Sequence, residues 1–339
     1  MSSIDKSNLL GSIEQLPEQI ADAWKKARQV KFPASYKKAK NIVVSGMGGS
    51  ALGSMVIKNL FKNELRVPFE IYNHYQLPAY VNSDTLVLLS SYSGSTEETL
   101  AAAQEAVKRQ AKVVVIAAGG GLAELAQKHH FPLYLINPVY NPSNQPRMAI
   151  GYSITGQLAI FSKLGYLSIS DQEIKEVVKR LKTATPQKMA QKLARAAYQK
   201  TIVFAGAEHL VGAAHVINNQ TNENAKCLTA EWQLPELNHH YLEALPRPEK
   251  KQGDTIFILF GSSKYHPRVQ ARFPLSQQLI TQAGYQGELV AATGKSKLEE
   301  VFTTIQWGAF FAYYLAMLYG TDPTPIPSVD WLKLKLSEI

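Results

Sequence analysis

A single cysteine, Cys227, stands in a chain of 339 residues. One thiol excludes a disulfide framework and any metal site built on paired thiolates. The histidines offer no substitute, because the H-E-x-x-H spacing of a helical zinc site is absent. The opening residues, MSSIDKSNLLGSIEQLPEQ, lack a basic segment followed by an apolar one, so no signal peptide is expected. The longest apolar stretch, 307–319, is shorter than a membrane span and carries polar-tipped tyrosines. A soluble, cytoplasmic protein with no membrane partner is the expectation. Low-complexity tracts are missing too, and with 45% hydrophobic residues a packed core is expected. Lysine and arginine outnumber aspartate and glutamate by 36 to 27, a net charge of +9. These cations are scattered through helices instead of being interleaved with aromatics, so solvated helix faces account for most of them. No nucleic-acid partner is expected.

What is present centres on residues 85–100, TLVLLSSYSGSTEETL. The apolar run at its start suits a strand buried on both faces of a parallel sheet. Five hydroxyls follow within seven residues (Ser90, Ser91, Ser93, Ser95 and Thr96), broken by Gly94. Glu97 and Glu98 then suit the first turn of a helix. A strand turning sharply into a helix points free N–H groups and the positive end of the helix dipole at one spot. Hydroxyls added there make a pocket for a phosphate monoester. One helix cap needs one hydroxyl, and five exceed what capping requires.

The length suits two domains of about 150 residues, divided here as 1–165 and 166–339. A helical stripe over 13–30 leads into Asn41–Gly46, a short buried strand. Further strands are read at 69–75, 85–90, 112–118 and 131–137, with helices between most of them. Alternation of this kind indicates a parallel sheet covered on both faces. A Pro/Asn-rich connection, NPVYNPSNQPR, leads to an apolar helix over 148–164, and 171–200 reads as a charged helical bridge. A second run follows, with strands at 201–206, 227–231 (weaker), 255–261 and 287–293, then a long helix over 298–319. DPTPIP is extended, and a short helix over 329–336 closes the chain. The fold class is α/β, doubly wound twice.

Gly46–Ala51 fits a permissive G-x-G-x-x-G/A pattern, which raises dinucleotide binding. The acidic residue expected at the tip of the second strand is missing, since that strand ends Tyr72-Asn73-His74. A phosphomonoester therefore fits better, and no cofactor is expected. The other informative stretch, 218–245, gathers Glu223, Glu231, Glu236, His239, His240 and Glu243 near Trp232. Carboxylates with imidazoles suit proton transfer near neutral pH, but a solvated helix bearing surface charges is the competing reading. For Glu231 and Glu243 that plainer reading is preferred.

SGMGGSALG (45–53), SYSGSTEETL (91–100), NENAK (222–226) and ELNHH (236–240), taken together, resemble the SIS-domain sugar-phosphate isomerases. Within these the chain is most similar to the bifunctional phosphoglucose/phosphomannose isomerase family, over nearly its whole length. The resemblance implies two SIS domains, each a flavodoxin-like αβα layer. It implies metal-independent interconversion of glucose 6-phosphate and mannose 6-phosphate with fructose 6-phosphate through a cis-enediol(ate). It assigns Gly49 and Ser50 to the sugar-phosphate site and places Ser91, Ser93 and Thr96 around the phosphate. Glu223 matches the base that shuttles the proton between C2 and C1, and Arg147 matches the cation facing the enediolate. His239 matches the residue that assists ring opening, joined by a lysine of the terminal helix, for which Lys333 is chosen over Lys335. The family motif commonly reads ELNHN, and His240 departs from it. The resemblance further implies a homodimer in which the His-bearing segment reaches into the partner's site.

Two other readings compete. A non-catalytic SIS regulator would need the hydroxyl loop but not Glu223, Arg147 and His239. An isomerase of another amino-sugar or pentose phosphate would share the same loop.

Overall fold

The computed structural model describes residues 3–249 and 252–338. The chain opens with α1 (Leu9–Glu14) and α2 (Leu16–Ala27), the latter turning Leu16, Ile20, Ala23 and Trp24 inward. Next come β1 (Asn41–Gly46), α3 (Gly49–Leu60), β2 (Phe69–Tyr72), β3 (Thr85–Ser91), α4 (Glu97–Lys108), β4 (Lys112–Ala117), α5 (Gly120–Lys128) and β5 (Leu133–Leu135). The strands form one parallel sheet in the order β2-β1-β3-β4-β5. This is flavodoxin-like winding, with its switch point between β1 and β3. All seven residues of β3 are buried, as its continuous apolar run requires.

Helix α6 (Ile150–Leu164) packs against α2 and α3, and α7 (Asp171–Thr183) and α8 (Gln187–Ala197) lead to the second half. The bridge read as helical over 171–200 is thus two helices. Pro186 interrupts it, because proline lacks an N–H and disfavours helical geometry in the residue before it. Ser170 and Glu173 form a reciprocal capping box that starts α7.

The second half contains β6 (Thr201–Ala207), α9 (Val211–Ala225), β7 (Thr229–Leu234), α10 (Leu237–His240), β8 (Thr255–Gly261), α11 (Pro267–Gln282), β9 (Gln286–Ala291) and α12 (Lys297–Leu318), before α13 (Pro327–Leu336). Its parallel sheet runs β7-β6-β8-β9, the order of the first four strands of the first sheet. Strand β7 lies later than the 227–231 expected of it, and its residues are mostly half-buried. An edge strand leaves one side unpaired, which explains its weak hydrophobic signal.

Helix α12 is the one described helix long and apolar enough to cross a membrane, yet 83% of that apolar window is buried within the protein. It is a core helix, packed closely on α9. A methyl group on Gly308 would stand 2.1 Å from a side-chain carbon of Ile217. The two halves meet at α3 and α9 with equal intimacy, since a methyl group on Gly212 would lie 2.5 Å from the Val56 Cα.

Candidate active site

The ends of β1 and β3 lie side by side, where ligands bind in doubly wound sheets. At this point the hydroxyl burst divides into two sets. Ser90 donates to the Ser50 carbonyl (3.0 Å), and the Ser50 hydroxyl accepts from the Tyr92 N–H (2.9 Å). This pair stitches the two turns together. The Ser91 hydroxyl is buried, bonds Thr96 Oγ1 at 2.8 Å and accepts from the Gly94 N–H at 3.1 Å. Ser93 and Ser95 are exposed and bonded to each other at 3.1 Å. Thr96 is the N-cap residue of α4, but its side chain makes no capping hydrogen bond. The cluster is therefore not explained by capping, and its open face is the start of α4. Gly94 has φ +71°, and a methyl group there would lie 1.8 Å from the Gly119 carbonyl oxygen. Only glycine fits both demands.

Gly49 connects this cradle to the second feature. A methyl group on it would stand 2.7 Å from the Arg147 backbone nitrogen. The Arg147 side chain, 1% exposed, runs inward, and each of its five N–H donors has a protein acceptor. Nε donates to Asn224 Oδ1 (2.6 Å), Nη1 to Gln145 Oε1 (2.9 Å) and Glu223 Oε2 (3.2 Å), and Nη2 to the carbonyls of Pro323 (2.9 Å) and Thr324 (2.7 Å). Gln220 also donates to the Arg147 carbonyl. Three separate parts of the chain thus converge on one guanidinium. Its donors are saturated, so direct contact with a bound anion requires exchange at the Nη1 edge facing Gln145 and Glu223.

Glu223 sits in the last turn of α9, its side chain 29% exposed. Burial raises its carboxyl above the ordinary range, and the charges of Arg147, Lys226 and Lys333 oppose that rise. Lys226 adopts the left-handed conformation that ends α9 and donates to the carbonyls of Glu223 and Pro323. Its ammonium is pushed down to about 8, first by burial and then by the Arg147 charge. Its role in linking α9 to the 322–324 turn was not legible beforehand; the NENAK motif that contains it was the available signal.

Lys333 lies on α13, close enough for its charge to act on Glu223. Lys335, the alternative, pairs with Glu338 at 2.9 Å. His239 is exposed on α10 and does not join Glu223 within one chain. Thr229, at the start of β7, contacts Asn222 beside Glu223, whereas His239 lies beyond the end of that strand. Six residues of strand span about 20 Å. His240 rests edge-on against Trp232, ring centroids 5.2 Å apart. Glu231, read as a surface charge, pairs with His215.

Asn73, at the tip of β2, donates to the Gly46 carbonyl, so the position where a dinucleotide site needs a carboxylate holds an amide. Among the described residues, no three His, Cys, Asp or Glu side chains form a group able to hold a metal ion. A groove of about 880 Å³ between α2 and α7 is lined by Trp24, Ile174, Val178 and basic residues and shares none with this site.

Residues 35–163 match the SIS domain family, and residues 186–336 match the bacterial phospho-glucose isomerase C-terminal SIS domain. A bifunctional phosphoglucose/phosphomannose isomerase of Caldicellulosiruptor bescii is 34% identical over 97% of this chain and 98% of the relative. The protein of the same description from Aquifex aeolicus is 28% identical over 88% and 91%. Among solved structures, a hypothetical protein of Thermus thermophilus superposes with a TM-score of 0.76 at 18% identity, covering 97% of this chain and 90% of the other. On its sequence, over nearly its full length, this chain belongs to the bifunctional phosphoglucose/phosphomannose isomerase family.

Proposed function

We propose that the protein interconverts glucose 6-phosphate and mannose 6-phosphate with fructose 6-phosphate, as a cytoplasmic homodimer. The observation that carries this reading is the Glu223–Arg147 pair beside the hydroxyl cradle. A carboxylate with a raised pKa stands at the cleft edge, backed by a fixed cation.

In this reading Ser91, Ser93, Thr96 and the start of α4 hold the 6-phosphate, with Gly49 and Ser50 shaping the adjoining turn. Glu223 takes the proton from C2, leaving an enediolate whose charge faces the Arg147 cation. The same carboxyl returns the proton to C1, while the hydroxyl proton moves from O2 to O1. One shared base suffices for either epimer once the sugar rotates to present its C2–H. Lys333 and His239 handle the proton on the ring oxygen during ring opening. No metal takes part.

Two observations support the homodimer. His239 lies beyond the end of β7, about 20 Å of strand from the Glu223 end, and in this reading a second copy delivers it. Helix α13 has no buried residue, and Trp331, Leu332 and Leu334 are more than half exposed on it. Apolar side chains presented this way are covered when copies associate.

The test is formation of fructose 6-phosphate from each substrate with EDTA present, alongside Glu223→Gln. Turnover of both substrates, lost in the variant, is the expected result. Thermal stabilisation by fructose 6-phosphate without turnover of either substrate would move the reading to a non-catalytic regulator.

A further inference from the structure

The two sheets share one winding, so each feature of the first has a counterpart position in the second. The ends of β1 and β3 correspond to the ends of β6 and β8. At the latter lie 207–210, Ala-Glu-His-Leu, and 262–265, Ser-Ser-Lys-Tyr. Three side chains from these turns converge as the hydroxyls do in the first sheet. What they converge on is a carboxylate of the chain itself. His209 Nε2 meets Glu300 Oε2 at 2.8 Å, the Ser262 hydroxyl donates to the same oxygen at 2.5 Å, and Lys264 Nζ reaches Oε1 at 3.1 Å. The Lys264 N–H completes the turn by donating to Ser262 Oγ (2.9 Å), as the Gly94 N–H does to Ser91 Oγ.

The origin of the carboxylate fits the comparison. Glu300 stands in the first turn of α12, the helix that follows the fourth strand of its sheet. Its counterpart in the first sheet is α5, which begins Gly-Gly-Leu and packs glycine backbone against the Ser93–Gly94 turn. Where the first sheet has no side chain over its cradle, the second has a glutamate. Glu300 is 1% exposed and His209 2%, and His209 Nδ1 has no hydrogen-bond partner. This is a built polar site at depth. A buried carboxylate persists only when donors surround it.

We propose that the second sheet carries a counterpart of the phosphate cradle, occupied by the protein's own Glu300 carboxylate in place of a ligand anion. The comparison rests on reading the first cradle as a phosphate site, and its consequence is one sugar phosphate per chain. The turn after β8 keeps the donors such a site needs, and α12 supplies the anion permanently.

Removing the tethered anion should therefore create a site for a free one. In Glu300→Ala, full chain, His209, Ser262 and Lys264 face the space vacated by the carboxylate and one methylene, which formate and phosphate probe. Thermal melts are run in sodium chloride, sodium formate and sodium phosphate at equal ionic strength, with wild type in parallel. The variant should melt lower than wild type in chloride and recover a large part of the loss in formate or phosphate. Wild type should show a much smaller anion-dependent change. Lys264→Met added to Glu300→Ala should abolish the recovery. Glu300→Gln, whose amide fills the space, should melt lower with no anion-specific recovery. Equal anion shifts in wild type and Glu300→Ala would overturn the proposal, as would an alanine variant that stays unfolded in every anion. Failure of the first cradle reads out separately, as fructose 6-phosphate binding that survives Ser93→Ala with Thr96→Ala in a chain that keeps Glu300.

Discussion

Arg147→Met should be among the most damaging single changes in this chain, for a reason separable from chemistry. Methionine keeps much of the aliphatic stem but none of the five donors. Asn224 Oδ1 and the Thr324 carbonyl belong to buried residues and would lose their partner, whereas the Pro323 carbonyl keeps Lys226, and Gln145 and Glu223 border the cleft, where water can replace the bond. A buried group left unpaired costs about 1–3 kcal/mol, so two amount to roughly 2–6 kcal/mol. Relief from desolvating a cation offsets part of this, and removing one partner of a buried ion pair typically costs about 3–5 kcal/mol. A loss of about 4 kcal/mol is expected, a large share of the roughly 5–15 kcal/mol that holds a domain folded. Equilibrium urea unfolding, followed by tryptophan fluorescence and far-UV circular dichroism, measures it. Arg147→Lys keeps the charge with three donors and should recover part of the loss. If Arg147→Met unfolds within about 1 kcal/mol of wild type, the saturated guanidinium is not a structural hub and the accounting is wrong.

Gly94→Ala should weaken fructose 6-phosphate binding at least tenfold by calorimetry, because the added methyl meets a carbonyl oxygen and the turn must move; an unchanged affinity would detach that turn from the phosphate. Because the base acts ionised and burial raises its carboxyl, the acid limb of the pH–rate profile should lie above the ordinary glutamate value of about 4.3. Lys226→Met removes a cation that opposes the rise, so that limb should move to still higher pH; a downward move would contradict the electrostatics. Mixing unfolded Glu223→Gln and His239→Ala chains and refolding them together should restore roughly a quarter of wild-type activity, since half the random dimers carry one intact site. No restoration would place His239 within its own chain's site.

How much could be read beforehand depended on distance along the chain. The cradle was legible because its parts are consecutive: a buried run, a burst of hydroxyls, a glycine and two glutamates lie in one stretch. The inner strands β1, β3 and β4 of the first sheet were legible for the same reason, each being built on a continuous apolar run. Edge strand β7 was less so, since half-buried residues carry little periodicity. The Arg147 hub was hidden, because its acceptors lie up to 177 residues away. Without the family resemblance, an arginine after a proline in a loop looks ordinary. Glu300 was missed for a different reason. Two glutamates in the first turn of a helix satisfy the dipole, and Glu299 fits that role by accepting a hydrogen bond from the Lys295 N–H. Nothing local distinguishes its neighbour, which turns inward.

The contact between Gly212 and Val56 sets a length. Helix α3 begins at the turn beside the cradle and α9 carries Glu223 in its last turn, so the turn that the proposed function sets beside the phosphate and the helix to which it gives the base are locked where they touch. With no side chain at Gly212 to act as a spacer, they cannot slide without backbone collision. The interval from phosphate to proton acceptor is then a ruler cut into the fold.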